Sequence, residues 1–206
     1  MTKSFLRREE YKQLAKLSID GKILDIGGST KSGYHELIKG THTFTTANID
    51  AATGATLIFN AEEPWPVPDA SYDAVLLINV LEHLYHYRTS IQEAMRVLTS
   101  EGRIVGVVPF MFNVHASPSD YFRYTRSTLE RLLSEEGFSQ IEIRELGTGA
   151  GSVVYHALIG FVRFEWMAAP LIALFRGFDR ALAILKPNNK LSSAHMPLGY
   201  YFEARK

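Results

Sequence analysis

Apolar runs and helically spaced apolar positions take turns along most of this chain, and that alternation predicts its elements. Phe5, Leu6, Leu14 and Leu17 recur at helical spacing over 4–17, and Asp20-Gly21 supplies a stop. Residues 22–26 then read as a strand, 33–39 as a short helix, and 43–49 and 56–59 as two further strands. The run 72–78 is continuously apolar at its end, as in a strand covered on both faces. A helix over 87–98 places Ile91, Ala94, Met95 and Leu98 on one side, and 103–108 is another buried strand. Residues 128–136 form a helix closed by Gly137, and in 139–146 Ile141 and Ile143 alternate with Glu142 and Arg144 as a strand. Residues 197–206 close the chain as a final edge strand. Strands alternating with helices predict an α/β fold with a doubly wound, mostly parallel, seven-stranded sheet.

Residues 147–196 interrupt this rhythm with a helical insertion before the last strand. Residues 153–167 are apolar nearly all round, broken by His156, Arg163 and Glu165. Further on, Leu171, Leu174, Phe175, Phe178, Leu182 and Leu185 make a stripe opposite Arg176, Asp179 and Arg180. Neither run reaches the roughly 18 uninterrupted apolar residues of a membrane span. Two readings stay open for 153–185: a cap packed on the core or on a second copy of the chain, or an element lying on a membrane surface, suggested by the aromatic and basic mixture over 161–176. The whole chain, 1–206, reads as one domain, with 20–146 its ligand-binding core.

Composition narrows the classes. A hydrophobic content of 46% over 206 residues can fill one core. The 22 basic and 22 acidic residues cancel, so no nucleic-acid partner is expected. The absence of cysteine excludes disulfides, thiolate metal sites and a cysteine nucleophile. Residues 1–10 carry charges where a secretory signal needs an apolar stretch, so the expected compartment is the cytoplasm, with peripheral membrane contact through the insertion as the variant.

The candidate chemistry starts at Asp25-Ile26-Gly27-Gly28-Ser29, where the first strand enters a glycine turn. Glycine there lets backbone approach a ligand closely, and Asp50, closing the next apolar stretch, is placed to accept the hydroxyls of a ribose. An adenosine-containing cofactor follows. A dinucleotide fingerprint needs glycines where Ser29 and Ser32 stand, so the spacing argues against a nicotinamide cofactor. The run Asp-x-Gly-Gly-Ser instead resembles the first motif of class I S-adenosylmethionine-dependent methyltransferases, with Ser29 replacing one glycine. Four more segments are similar to that family in the same order: Asn60-Ala61-Glu62-Glu63 with Ser71-Tyr72-Asp73-Ala74-Val75; Asn79 to Leu84; Arg96 to Arg103; and Leu133 to Phe138. The resemblance covers about residues 20 to 145 and is closest to "methyltransferase 11" members.

That resemblance implies a Rossmann-like methyltransferase fold, S-adenosylmethionine as methyl donor and S-adenosylhomocysteine as product; no metal is expected. It implies that Gly27, Gly28 and Ser29 line the methionine and ribose moiety, with Asp25 organising the turn or meeting the amino group through water. Asp50 would hold the ribose, Asn60 and Ala61 flank the adenine, and Asn79 and Leu81 lie beside the transferred methyl. The acceptor would be a small molecule, glycan or lipid-linked compound, methylated at oxygen or nitrogen.

Acceptor residues are sought after the fifth strand, because ligands of open α/β sheets sit beyond the carboxyl ends of the strands. There His115 and Asp120 are the candidate proton acceptors for a hydroxyl, and Tyr121, Arg123 and Tyr124, with His83, are candidate acceptor contacts. The competing reading is an Asp120–Arg123 pair stapling a loop, with Thr125 or Ser127 capping the next helix and His83 bonded to backbone. Gly147 to Ser152 imitates a nucleotide loop but reads as a flexible lead-in to the insertion, and no histidine pair shares one helix face as a zinc-protease motif requires. A catalytically silent cofactor-binding subunit and a nicotinamide oxidoreductase are the alternatives to an active methyltransferase.

Overall fold

A computed structural model of the chain describes residues 4–158, 168–186 and 190–206. Its strands are β1 (Gly21–Ile26), β2 (His42–Asn48), β3 (Leu57–Ile58), β4 (Tyr72–Ile78), β5 (Leu98–Pro109), β6 (Ser139–Leu146) and β7 (Gly199–Arg205). They form one seven-stranded sheet in the order β3-β2-β1-β4-β5-β7-β6, parallel from β3 to β5, with β7 antiparallel to both its neighbours.

The sheet is covered on both faces, as the two-sided apolar strands require. β4 sends Val75 and Leu77 to one face, where α2 (Tyr87–Val97) buries Ile91, Ala94 and Val97 and α3 (Arg126–Glu135) buries Leu129, Leu132 and Leu133. Ala74, Leu76 and Ile78 point the other way, onto Phe5, Leu6 and Leu14 of α1 (Phe5–Leu14). Ser4 starts α1 by accepting the Arg7 N–H at 3.1 Å.

Three expectations are corrected. β7 lies inside the sheet between β5 and β6, not at an edge. Tyr200, Tyr201, Phe202 and Ala204 are all buried, so both faces of this strand are apolar, which suits an interior position. Gly106 makes room for it: a β-carbon there would stand 2.1 Å from Cζ of Phe202. The helix expected over 33–39 is only a 3-10 turn, His35–Leu37, and Ile38 is already extended.

The third correction concerns the insertion, whose described helices are α4 (Ala150–Leu158) and α5 (Ala168–Leu185). The rest of the apolar run, 159–167 with Arg163 and Glu165, lies outside the described residues. Asp179, expected on a polar face, is buried, and its carboxylate accepts the N–H groups of Gly151 at 2.7 Å and Ser152 at 3.1 Å and the Thr148 hydroxyl at 2.6 Å. The glycine-rich segment is therefore pinned as the N-terminus of α4, capped from α5. That leaves Leu174, Phe178 and Leu185 of the expected buried stripe exposed, at 65%, 51% and 77%. Among the described residues no helix is long and apolar enough to cross a membrane. Asp179→Ala should cost about 1–2 kcal/mol of stability, the usual loss on removing a helix cap. Thermal unfolding checks this, and an unchanged Tm would remove the cap from the account.

Candidate active site

The glycine turn at the end of β1 is built on a buried carboxylate. Asp25 is fully buried, accepts the Tyr34 hydroxyl at 2.8 Å through Oδ2 and 3.0 Å through Oδ1, and lies 2.6 Å from His35 Nε2. Burial raises its pKa, against the opposing pull of those hydrogen bonds. Directly above it, a β-carbon on Gly28 would fall 2.0 Å from Asp25 Oδ2. Gly27 has a φ of +76°, and a β-carbon there would meet Val80 Cγ2 at 2.5 Å. Ser29 is a turn residue: its N–H donates to Ser32 Oγ at 2.9 Å and its own Oγ accepts the Lys31 N–H at 3.2 Å.

Asn48, at the end of β2, ties this turn to the next. Its amide donates to the carbonyls of Gly27 at 3.0 Å and Gly28 at 3.2 Å, and its side-chain oxygen accepts the Asp50 N–H at 3.1 Å. Asp50 is exposed and caps a 3-10 turn, Ala51–Thr53, by accepting the Ala52 N–H at 2.8 Å.

These turns border a cleft of about 220 Å³ at the carboxyl ends of β1, β2 and β4. Of the cofactor residues expected from sequence, Gly27, Asn60, Ala61 and Asn79 line it, as do His83 and Tyr121 from the acceptor set. Asn48, Ile49, Phe59 and Ser117 to Ser119, which sequence reasoning did not single out as contacts, complete the wall. The Asn60 side of the cleft is braced from behind, since the Ala61 carbonyl accepts both Trp65 Nε1 at 3.1 Å and the Ser90 hydroxyl at 2.7 Å.

Several expected contacts do other work. Asp25, Gly28, Ser29 and Asp50 support the turns around the cleft and do not line it. Leu81 is fully buried in the core, and its carbonyl accepts the hydroxyl of Tyr124, which is itself buried. Arg123 grips both oxygens of Asp120, with Nη2 2.7 Å from Oδ2, and also donates to the carbonyls of Phe122 at 2.8 Å and Asn113 at 3.1 Å. The Arg123 guanidinium holds the Asp120 carboxyl far below the usual carboxylate range, and Asp120 also accepts the His115 N–H at 2.8 Å. Asp120 is thus a loop staple, too weakly basic for the proton-acceptor role expected of it.

A second cavity opens next to the first, lined by Arg7, Glu10, Asn79, Phe112 and His115 among others. Asn79 borders both. It holds a φ of +53°, uncommon outside glycine, while its amide donates to Glu10 Oε2 at 2.8 Å. Glu10 is fully buried on α1, paired with Arg7 at 2.9 Å, and burial raises its pKa. Beneath Asn79 stands Glu82, also fully buried, with His115 Nε2 3.7 Å and His83 Nε2 3.8 Å from its Oε1. The Glu82 carboxylate draws the His115 pKa upward, against burial. Sequence reasoning gave neither acid a role: Glu82, expected to face the cleft mouth after the fourth strand, is instead buried. Glu10 reads as one polar position of an amphipathic helix, and nothing local to it announces that α1 walls the second cavity and meets Asn79 there.

A family model described as a methyltransferase domain matches residues 36–106, about a third of the chain. No curated protein matches the chain significantly. Among solved structures, an S-adenosylmethionine-dependent methyltransferase from Archaeoglobus fulgidus superimposes with a TM-score of 0.60 at 16% identity, over 98% of this chain and 92% of that one. Phosphoethanolamine N-methyltransferase 2 of Haemonchus contortus, in complex with S-adenosylmethionine, gives 0.59 at 14% identity over 95% of this chain, which spans only half of that enzyme's length. The 1,6-didemethyltoxoflavin N1-methyltransferase of Burkholderia thailandensis, with 1,6-didemethyltoxoflavin and S-adenosylhomocysteine bound, gives 0.56 at 14% over 98% and 78%. At such identities the structures establish the shared fold, and the segment matched by the family model runs from the 3-10 turn after β1 into β5. Residues 36–106 thus match a methyltransferase-domain model within a chain whose fold is shared with S-adenosylmethionine-dependent methyltransferases.

Proposed function

We propose that this chain transfers the methyl group of S-adenosylmethionine to an oxygen or nitrogen of a small polar acceptor held in the second cavity. The observation that carries the reading is the meeting of the two cavities at Asn79, one bordered by the glycine turn and the other by Glu10 and His115. Methyl transfer from a sulfonium is an in-line displacement with a good leaving group, so alignment of donor and acceptor supplies most of what the protein must contribute. A donor in the first cavity and an acceptor in the second approach each other across Asn79. The Arg7–Glu10 pair, Asn79 and His115 give the second cavity a polar wall, which suits an acceptor carrying hydroxyl or amino groups. The S-adenosylmethionine bound in the Haemonchus enzyme and the S-adenosylhomocysteine bound in the Burkholderia enzyme support the same use of the shared fold here.

In this reading Asp50 turns its carboxylate to the ribose while keeping its cap on Ala52. Asp50→Asn retains an oxygen for the cap and removes the charge, whereas Asp50→Ala removes both. Both should weaken S-adenosylmethionine binding about tenfold, the low end for a hydrogen bond to an ionised group at an exposed position. Titration calorimetry reads this directly, and an Asn variant binding as tightly as the parent would confine Asp50 to the turn. In parallel, saturating S-adenosylmethionine should raise the Tm where a nicotinamide dinucleotide does not.

A further inference from the structure

We propose that Glu82, His83 and His115 bind one divalent transition-metal ion, in the range from Mn²⁺ to Zn²⁺, where the two cavities meet. One ligand atom from each residue lies within 4.8 Å of the other two. The separations from Glu82 Oε1, 3.8 Å to His83 Nε2 and 3.7 Å to His115 Nε2, are too long for hydrogen bonds. They match two ligands sharing an ion: with bonds of about 2.1 Å, neighbouring ligand atoms stand about 3.4 Å apart in a tetrahedron and about 4.2 Å apart when opposed.

The carboxylate itself points to a missing cation. Glu82 is fully buried, and among the described residues neither of its oxygens has a hydrogen-bond partner. Buried acids are normally hydrogen-bonded, paired or bound to metal. The imidazoles are already oriented for the task, since His83 Nδ1 lies 2.6 Å from the Ser119 carbonyl and His115 Nδ1 lies 3.2 Å from that of Asn113. Each ring then donates outward from Nδ1 and turns the Nε2 lone pair toward Glu82, the tautomer that metal-binding histidines take. The frame is tied together as well: the Tyr121 N–H donates to the Glu82 carbonyl at 2.7 Å, linking the 3-10 turn Leu81–His83 to the segment after β5.

Two imidazoles and one carboxylate suit a first-row transition ion better than Ca²⁺ or Mg²⁺, which prefer all-oxygen sets. Three protein ligands leave positions open, and since His83 borders the first cavity and His115 the second, those positions face the ligand space. Resting on the function proposed above, the ion would hold an oxygen of the acceptor beside the methyl donor. The ligands come from a turn after β4 and a loop after β5, not from the single helix face on which a zinc-protease histidine pair would lie.

The test uses the full chain, without an affinity tag, stripped with EDTA and titrated with Co²⁺ while visible absorption is recorded. S-adenosylmethionine affinity is measured on the same preparation. One equivalent of Co²⁺ should bind with d–d bands of mixed nitrogen and oxygen ligation. Glu82→Gln and His115→Ala should each weaken it roughly 50-fold while leaving S-adenosylmethionine affinity unchanged. Glu82→Gln should also raise the Tm of the stripped protein, a gain that a misfolded variant cannot show. Failure of Co²⁺ to bind stoichiometrically to protein that still binds S-adenosylmethionine overturns the ion site and leaves the methyl-donor reading standing. Binding undiminished in both variants overturns it too. Stoichiometric, variant-sensitive Co²⁺ binding in protein that ignores S-adenosylmethionine supports the ion site and removes the donor reading instead.

Discussion

Asp25→Ala should remove about 2–4 kcal/mol of folding stability and most of the affinity for S-adenosylmethionine, although Asp25 does not line the cleft. Its loss would leave the Tyr34 hydroxyl buried without its acceptor and open a small void under Gly28. A hydrogen bond to an ionised group is worth about 1.5–3 kcal/mol, and an unsatisfied buried hydroxyl adds its own penalty. Part of that gain is offset in the parent protein by the cost of burying the charge, the same cost that raises the Asp25 pKa. For a chain of this size the net loss corresponds to a fall in Tm of about 5–15 °C. Function should suffer further, because the 3-10 turn His35–Leu37 offers little to hold the loop once Tyr34 and His35 lose their anchor. Asp25→Asn, which keeps the volume and one acceptor oxygen, should fall between parent and alanine variant. Thermal unfolding with and without S-adenosylmethionine reads both effects, and an alanine variant with parental Tm would show that Asp25 is not the support of the turn.

The order of strands and helices was legible because burial imprints its period locally: β4 and α2 can each be read from a dozen consecutive residues. The place of β7 was not, because pairing partners are chosen across the whole chain. Only its two-sided burial, through Tyr200, Tyr201 and Phe202, hints that an edge is the wrong place for it. The site divides the same way. Gly27 and Asn60 line the cleft as their motifs imply, since a turn between strand and ligand is a local device. Leu81 and Tyr124 belong to the motif segments yet face the core, and a motif cannot say which of its residues supports and which touches. Glu10 and Asp179 carry charges on amphipathic helices, where polarity ordinarily means solvent; only the packing of α1 and α5 buries them. The Asp120–Arg123 staple was visible in spacing, but not that Arg123 holds both carboxylate oxygens or that the His115 N–H joins them.

Asn79→Gly and Asn79→Ala should each lower the rate of methyl transfer about 100-fold, measured as S-adenosylhomocysteine release with the acceptor that the parent turns over. Asn79 stands where both cavities meet and its amide fixes Glu10, so the substitution removes a side chain that borders both cavities and frees Glu10. A misplacement of about 1 Å between reacting groups is enough for an effect of that size. S-adenosylmethionine affinity should change much less, because the backbone at this position is held independently, its N–H donating to the Val107 carbonyl at 2.8 Å. The pair of variants separates chemistry from strain. At a φ of +53° alanine is disfavoured by about 1 kcal/mol relative to glycine, so Asn79→Ala should be the less stable of the two while the rates stay alike. If the glycine variant instead turns over at the parental rate, Asn79 is there for its backbone alone, and the alignment of donor with acceptor must be credited to other residues of the shared wall.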